Sequence, residues 1–302
     1  MPLDALSTSA RALDRCAVHR IVGRLSAQAA APWLHAEAAR RMAERLSLIR
    51  QPPRAVLEWG GWLGASREAL DQACRQASRR VVEPSVALQQ RSREQRRGAW
   101  WRWGRAAVDV QLPDQLTPGC ADLVWANMVL QGEPDPPALF SRWHDVLAVD
   151  GFLMFSTLGP GTLQGLRELY AAQGWGSPMA ALVDMHDLGD MLVQAGFADP
   201  VMDQETLTLT WASPEALLAE LRGLGGNADP QRDAGLRTPR WRQRLLQALA
   251  ARADAQGRIA MDFELVYGHA FRVAARPRVQ AQTEVSLQAM REMVRSRRTP
   301  GG

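Results

Sequence analysis

The chain contains no lysine, so arginine supplies every basic side chain apart from histidine. This absence excludes a Schiff base or a lysine nucleophile. Cysteine is scarce, and Cys16, Cys74 and Cys120 are too scattered to suggest a metal site or a disulfide framework. No apolar run approaches the roughly 18 residues that a membrane-spanning helix needs. We therefore expect a protein of a reducing compartment, with no bound metal and no membrane span.

Residues 1–31 lack an apolar secretory segment, and Asp4 and Asp14 are untypical of a mitochondrial transit peptide, which is poor in acidic residues. We therefore expect a cytoplasmic protein. Its 302 residues, 46% hydrophobic and 23% charged, can bury one large core or two modest ones. The formal net charge of +4 favours acidic partners without identifying one.

Hydrophobic periodicity predicts helices over residues 11–49, which end at Pro52-Pro53. From Ala55 onward the pattern alternates as in βαβ units, which indicates an α/β fold. The predicted strands are 55–58, 80–83, 121–126, 151–157 and 206–211, followed by a hairpin or long strand over 259–273. The predicted helices are 65–77, 86–96, 137–147, 163–172, 185–195, 214–221 and 239–252.

The segment 56–64 (Val-Leu-Glu-Trp-Gly-Gly-Trp-Leu-Gly) is the most informative part of the chain. An apolar run that ends at Glu58, followed by Gly60, Gly61 and Gly64, predicts a buried strand, a tight turn and the start of a helix. Open α/β sheets bind nucleotide-like cofactors at such turns, because glycines let the backbone approach the ligand. Glu83 ends the next predicted strand, where a carboxylate can accept hydrogen bonds from ribose hydroxyls. Together these residues predict an adenosine-type ligand.

Four further segments carry a family resemblance: 121–131 (Ala-Asp-Leu-Val-Trp-Ala-Asn-Met-Val-Leu-Gln), 155–163 (Phe-Ser-Thr-Leu-Gly-Pro-Gly-Thr-Leu), 183–188 (Val-Asp-Met-His-Asp-Leu) and 221–227 (Leu-Arg-Gly-Leu-Gly-Gly-Asn). In this order with the glycine turn, the chain resembles the class I S-adenosylmethionine-dependent methyltransferases over about residues 10–275. Within that class it is similar to the malonyl-acyl-carrier-protein O-methyltransferases of biotin synthesis. The segments 155–163 and 183–188 are the most specific.

The resemblance implies a doubly wound, Rossmann-like α/β fold with a seven-stranded, mostly parallel sheet whose last strand runs antiparallel. It divides the chain into an N-terminal helical lid (1–53), a methyltransferase-like domain (54–275) with an insertion around 160–185, and a polar tail (276–302). The tail is rich in arginine, and we expect a frayed helix and a disordered end there.

The resemblance also implies a cofactor, S-adenosylmethionine, and a methyl acceptor, a carboxylate such as a malonyl thioester on an acyl carrier protein. We expect the acceptor to be held by a catalytic His186 or by Arg222, although a helix cap and a solvated helix residue are the simpler interpretations of these two. The residues expected to bind the cofactor are Glu58, Gly60, Gly61, Gly64, Glu83 and Asn127, with Gln131 beside the methyl group and Asp109 or Asp114 at the adenine edge.

Two positions depart from the family pattern. Trp62 stands where the middle glycine of the motif belongs, and its side chain would fill space that the cofactor needs. A turn shifted onto Gly60-Gly61 would accommodate it, because only glycine freely adopts positive φ. His19 stands where the N-terminal helices usually offer an aromatic hydroxyl. The alternative is therefore a pseudo-methyltransferase with impaired cofactor binding that acts as an interaction or regulatory partner.

The segment 91–105 combines arginines with Trp100, Trp101 and Trp103. The simplest interpretation is a surface helix followed by a strand whose tryptophans pack inward. Alternatively, the segment forms a basic face for an acidic carrier protein, or it stacks on nucleic-acid bases. We expect the partner to be a small-molecule or carrier-bound substrate and not a nucleic acid.

Overall fold

The computed structural model describes residues 12–97, 108–233 and 235–274. Its strands are β1 (Ala55–Trp59), β2 (Ser78–Val82), β3 (Asp109–Gln111), β4 (Ala121–Asn127), β5 (Leu147–Leu158), β6 (Ala198–Trp211) and β7 (Ile259–Phe271). Its α-helices are α1 (Arg15–Ser26), α2 (Trp33–Leu46), α3 (Gly61–Gly64), α4 (Arg67–Ala73), α5 (Val86–Arg97), α6 (Pro136–Val146), α7 (Gln164–Ala172), α8 (Met185–Gln194), α9 (Pro214–Leu224) and α10 (Pro239–Ala250).

Within these residues the strands form one seven-stranded sheet in the order β3-β2-β1-β4-β5-β7-β6. Strands β1 to β5 pair in parallel, whereas β7 is antiparallel to both β5 and β6. This arrangement confirms the predicted α/β fold with its antiparallel last strand. Between β1 and β4 the strand order reverses direction, and in open α/β sheets such a point leaves a crevice at the carboxyl ends of the strands.

The sheet separates two apolar clusters. Val56 faces one of them and its neighbour Leu57 the other, because successive side chains of a strand point to opposite faces. On the Val56 side lie α2, α4, α7, α9 and α10, which contribute Leu34, Leu70, Leu166, Leu217 and Leu245. On the Leu57 side lie α6 and α8, which contribute Phe140, Trp143, Leu188 and Leu192. None of the helices in the described ranges is long and apolar enough to cross a membrane.

The helix predicted over 65–77 is confirmed as α4 but is shorter, Arg67–Ala73, and an additional short helix precedes it. The chain turns into α3 directly after Gly60, breaks at Ala65, which has a left-handed φ of 51°, and resumes as α4. The break is stabilised by Ser66, whose hydroxyl donates to the Gly64 carbonyl and accepts from the Trp125 indole on β4. A long-range side-chain contact therefore marks the boundary between α3 and the predicted helix.

The last two strands are longer than the sequence pattern indicates. β6 begins at Ala198, and β7 is one long strand and not a hairpin. β7 pairs with β5 on one side and with β6 on the other, so its neighbours keep it extended. The tryptophans of 100–103 and the tail 276–302 lie outside the described residues. The division of the chain into lid, domain and tail stays a prediction.

Candidate functional site

The glycine turn lies at the carboxyl ends of β1, β2 and β4. Gly60 has a φ of 72°, its amide donates to the Val82 carbonyl at 2.7 Å, and its carbonyl accepts from Gly64. A Cβ at Gly61 would lie 2.7 Å from Val81 Cγ1, closer than real Cβ atoms approach. The turn thus depends on Gly60 for its conformation and on Gly61 for its close approach to β2, as the shifted turn predicted from the sequence requires.

Glu83 follows β2 and is fully buried. One carboxylate oxygen, Oε1, accepts from the backbone amide of Trp62 at 2.7 Å and from the Ser92 hydroxyl. The other oxygen, Oε2, is buried and has no hydrogen-bond partner within the described residues. Burial raises the pKa of Glu83 to about 7, although both hydrogen bonds oppose the rise. Glu83 therefore binds the glycine turn through Oε1, while Oε2 remains an acceptor without a partner among the described residues.

Glu58 ends β1 as a buried acid, and a cation from α5 balances it. Its Oε2 lies 2.7 Å from Arg96 Nη2, and both side chains are almost entirely buried. Arg96 reaches Glu58 from the helix that also supplies Ser92, four positions earlier on the same helix face. Helix α5 thus contacts both buried acids of the candidate site: Arg96 binds Glu58, and Ser92 binds Glu83.

Trp62 is buried in the turn, with 5% of its surface exposed. The Arg91 guanidinium lies over its ring, 4.5 Å from the centroid, which is a cation–π contact. The same guanidinium group donates to the carbonyls of Ser26 and Gln28 at the end of α1. The indole Nε1 is buried and has no hydrogen-bond partner among the residues that the structure covers. The side chain of Trp62, which departs from the family pattern, is therefore covered from α5 by Arg91, which also bonds the end of α1.

Asn127, at the end of β4, connects the N-terminal helices to the sheet. Its Nδ2 donates to the carbonyl of His35 on α2 at 2.7 Å and to the carbonyl of Gly64 at 2.5 Å. Its Oδ1 accepts from the Ser156 hydroxyl on β5 at 2.5 Å. The side-chain amide thus joins α2, the turn, β4 and β5.

His35 makes the second link between α2 and the turn. Its Nδ1 lies 2.6 Å from the Leu63 carbonyl, and because a carbonyl only accepts, this nitrogen carries the proton. Burial lowers the pKa of His35 to about 4, so the ring stays neutral at physiological pH. Sequence reasoning missed His35, Ser92 and Arg96. The spacing of Ser92 and Arg96 on one helix face was the available signal, whereas His35 gives none.

The remaining predicted residues do not join this cluster. Gln131 lies on the 3₁₀ turn after β4 (Leu130–Gly132), where its side chain donates to the Met128 carbonyl. The side chain of His186 is exposed at the first turn of α8, where its backbone amide is capped by Asp184. Arg222 is exposed on α9, and its carbonyl, not its guanidinium, accepts from Arg24. The side chains of His19, Asp109 and Asp114 are also exposed.

The fold of the chain is similar to that of two solved structures. It superimposes on the YcgJ protein of Bacillus subtilis with a TM-score of 0.52 at 11% identity, over 78% of this chain and 98% of that one. A putative methyltransferase from Bacillus halodurans gives a TM-score of 0.51 at 14% identity, over 77% of this chain and 99% of that one. Both likenesses concern the fold alone.

Sequence comparison identifies the family. The chain is 40% identical to the malonyl-[acyl-carrier protein] O-methyltransferase of Laribacter hongkongensis over 256 residues, 81% of this chain and 84% of the relative. The enzyme of that name from Gallionella capsiferriformans is 36% identical, over 80% of this chain and 85% of its own length. The chain therefore belongs to the malonyl-[acyl-carrier protein] O-methyltransferase family. No protein-family model matches it.

Proposed function

We propose that this protein transfers a methyl group from S-adenosylmethionine to the free carboxylate of a malonyl group carried on an acyl carrier protein. One observation of the site carries the proposal: the buried Glu83 carboxylate keeps an unpartnered oxygen beside a glycine turn. The family membership supplies the acceptor, because the relatives' names specify a malonyl thioester of the carrier protein.

The residues of the turn fit an adenosyl cofactor. A buried acceptor without a partner costs free energy, about 1–3 kcal/mol, and a ribose hydroxyl is a donor that would remove this cost. Glu83 Oε2 is such an acceptor. We assign the ribose contact to Glu83 and backbone contacts to Gly60, Gly61 and Gly64. Arg96 pairs with Glu58 Oε2, while Glu58 Oε1 is buried without a hydrogen-bond partner among the described residues. The side chain of Asn127 bonds the His35 and Gly64 carbonyls and the Ser156 hydroxyl. We propose that Glu58 and Asn127 shape the cradle.

S-Adenosylmethionine supplies, when bound, a methyl group activated by a positively charged sulfur, which a carboxylate oxygen accepts without any proton transfer. The protein therefore needs no general base for this reaction. Its contribution is to orient the acceptor and to exclude water. The helices α1 and α2 pack over the turn and are suited to exclude water, and Asn127 and His35 fix α2 there. We propose His186 as the side chain that holds the acceptor, since it is exposed at a helix start and available to a ligand.

Trp62 supports a second candidate function. The indole fills part of the turn and is covered by Arg91, so a pseudo-methyltransferase that binds no cofactor is the alternative. Such a protein would keep the fold and act as an interaction or regulatory partner.

Calorimetric titration with S-adenosylmethionine separates the two candidates, with Trp62→Gly titrated in parallel. We expect the wild-type protein to bind the cofactor and to convert malonyl-acyl-carrier protein to its methyl ester, detected by mass spectrometry of the intact carrier. Binding that appears only in Trp62→Gly would support the pseudo-methyltransferase. Absence of binding in both proteins, each shown to be folded by circular dichroism, would refute the methyltransferase assignment.

A further inference from the structure

Arg91 connects three helices through a single side chain. From α5 its guanidinium covers the Trp62 ring of α3, 4.5 Å from the centroid. Its Nε donates to the carbonyl of Ser26, the last residue of α1, at 3.1 Å, and its Nη2 donates to the Gln28 carbonyl at 2.7 Å. We call Arg91, Trp62 and these two carbonyls the latch.

The Trp62 indole of the latch makes no hydrogen bond within the described residues. Trp62 is bound through its backbone amide to Glu83, but its ring nitrogen is buried and has no partner within the described residues. A buried N–H without an acceptor is unfavourable. The position of the ring therefore depends on packing and on the cation–π contact with the Arg91 guanidinium.

Helix α1 is also bound to other parts of the chain, independently of the latch. Asp14 at its start forms an ion pair with Arg232 at 2.6 Å, and the Asp14 amide donates to the Ala228 carbonyl. Arg24 donates to the carbonyl of Arg222 on α9. These bonds join α1 to the segment after α9, whereas the latch joins its last turn to α5. Arg24 lies in the last turn of α1 and also donates to the Gly225 carbonyl. Release of Arg91 would therefore free Trp62 and the Ser26 and Gln28 carbonyls, while Asp14 and Arg24 keep both ends of α1 bound.

We propose that Arg91 is a positioning residue that controls access to the cofactor cradle: it holds Trp62 across the cradle and the residues at the end of α1 beside it, and the cofactor enters only when Arg91 releases the two carbonyls. This inference rests on the proposed function, because it takes the glycine turn as the cofactor site. It also gives Trp62 a role in an active enzyme, because the side chain would move aside to admit the cofactor and would not block the cradle permanently.

The kinetics of S-adenosylhomocysteine binding to the immobilised protein test the latch by surface plasmon resonance. Arg91→Ala removes the cation and both hydrogen bonds, and Arg91→Lys keeps the charge but loses the forked geometry. Arg93→Ala is the matched control, because Arg93 lies on the same helix and donates to the Val110 carbonyl, away from Trp62. We expect the association rate constant to rise about tenfold in Arg91→Ala, to rise less in Arg91→Lys and to stay unchanged in Arg93→Ala, since about 1.4 kcal/mol of latch energy corresponds to a factor of ten.

Hydrogen exchange of the cofactor-free proteins gives a readout that needs no binding. We expect Arg91→Ala to accelerate amide exchange at residues 26–28 and 61–64 severalfold, without a change in β4 and β5. Equal association rates in the wild type, Arg91→Ala and Arg93→Ala would overturn the latch and leave the proposed function intact. Faster exchange in proteins that bind no S-adenosylhomocysteine would refute the proposed function, and the control of cofactor entry with it.

Discussion

Arg96 Nη2 lies 2.7 Å from Glu58 Oε2, and this ion pair is buried under the glycine turn. The pair joins the end of β1 to α5, which also provides Ser92 and Arg91. A buried charge that loses its partner is costly, so the two side chains depend on each other. The stability of the turn is therefore tied to α5 and not only to the glycines.

Removal of one partner should destabilise the protein strongly. We expect Arg96→Met to lower the free energy of unfolding by about 3 kcal/mol, because it leaves the buried Glu58 carboxylate without its ion-pair partner. Urea denaturation followed by circular dichroism measures this change. The double variant Glu58→Gln/Arg96→Met should cost less than the sum of the single changes. A loss below about 1 kcal/mol for Arg96→Met, no larger than for the exposed control Arg93→Met, would contradict the interpretation.

The pKa of Glu83 should make stability depend on pH. Its value rises from 4.5 to about 7 on folding, so the folded state binds the proton more tightly than the unfolded state. Stability from this group is therefore fully present below pH 4.5 and is lost as the pH rises through about 7. Glu83→Gln removes the titration and keeps an acceptor for Trp62 and Ser92.

The test is the difference in unfolding free energy between Glu83→Gln and the wild type at several pH values, since all other titrations cancel. We expect the difference to shift in favour of the variant by roughly 3 kcal/mol between pH 4.5 and 8. The groups that face Glu83 are the Trp62 amide, the Ser92 hydroxyl, Glu58 and Arg96. A difference that is constant with pH would show that Glu83 titrates as an ordinary exposed acid.

Asn127 should matter more for stability than its size suggests. Asn127→Ala removes the donor to the His35 and Gly64 carbonyls and the acceptor of Ser156, all of which are buried. We expect a loss of about 2–3 kcal/mol, because each buried polar group left unpaired is costly. Thermal unfolding measures it. Asn127→Asp keeps the acceptor alone and should lose a similar amount, and a neutral effect of both changes would rule out the amide as the link to α2.

His186 should affect the acceptor and not the fold. Its side chain is exposed, so we expect His186→Ala to change the free energy of unfolding by less than about 0.5 kcal/mol. If His186 holds the acceptor, KM for malonyl-acyl-carrier protein rises about tenfold, which corresponds to about 1.4 kcal/mol of binding, while the calorimetric affinity for S-adenosylmethionine stays the same. An unchanged KM in a folded, cofactor-binding variant would leave the residue as a helix-start residue without a role in the reaction.

Sequence pattern alone predicted most elements of the fold, because their cause is local. Strands β1, β2, β4 and β5 were recognised as short apolar runs between turn residues, and α6 and α8 by their apolar stripes. The sequence predicted the glycine turn because Gly60 is required by its positive φ and Gly61 by its close approach to β2. It also placed Glu83 and Asn127 at strand ends, where the fold brings them together.

The tertiary structure decided what these residues contact. Helices α1, α2 and α5 cross the turn from distant parts of the chain, and they bring Arg91 onto Trp62, Arg96 onto Glu58 and the His35 carbonyl onto Asn127. Such contacts depend on how helices pack on a sheet, which no local pattern encodes. The sequence by itself thus determined that a glycine turn follows β1 and that Trp62 stands where the family pattern has a glycine. Only the packing of α5 and α1 around the turn decided that this tryptophan lies buried under an arginine.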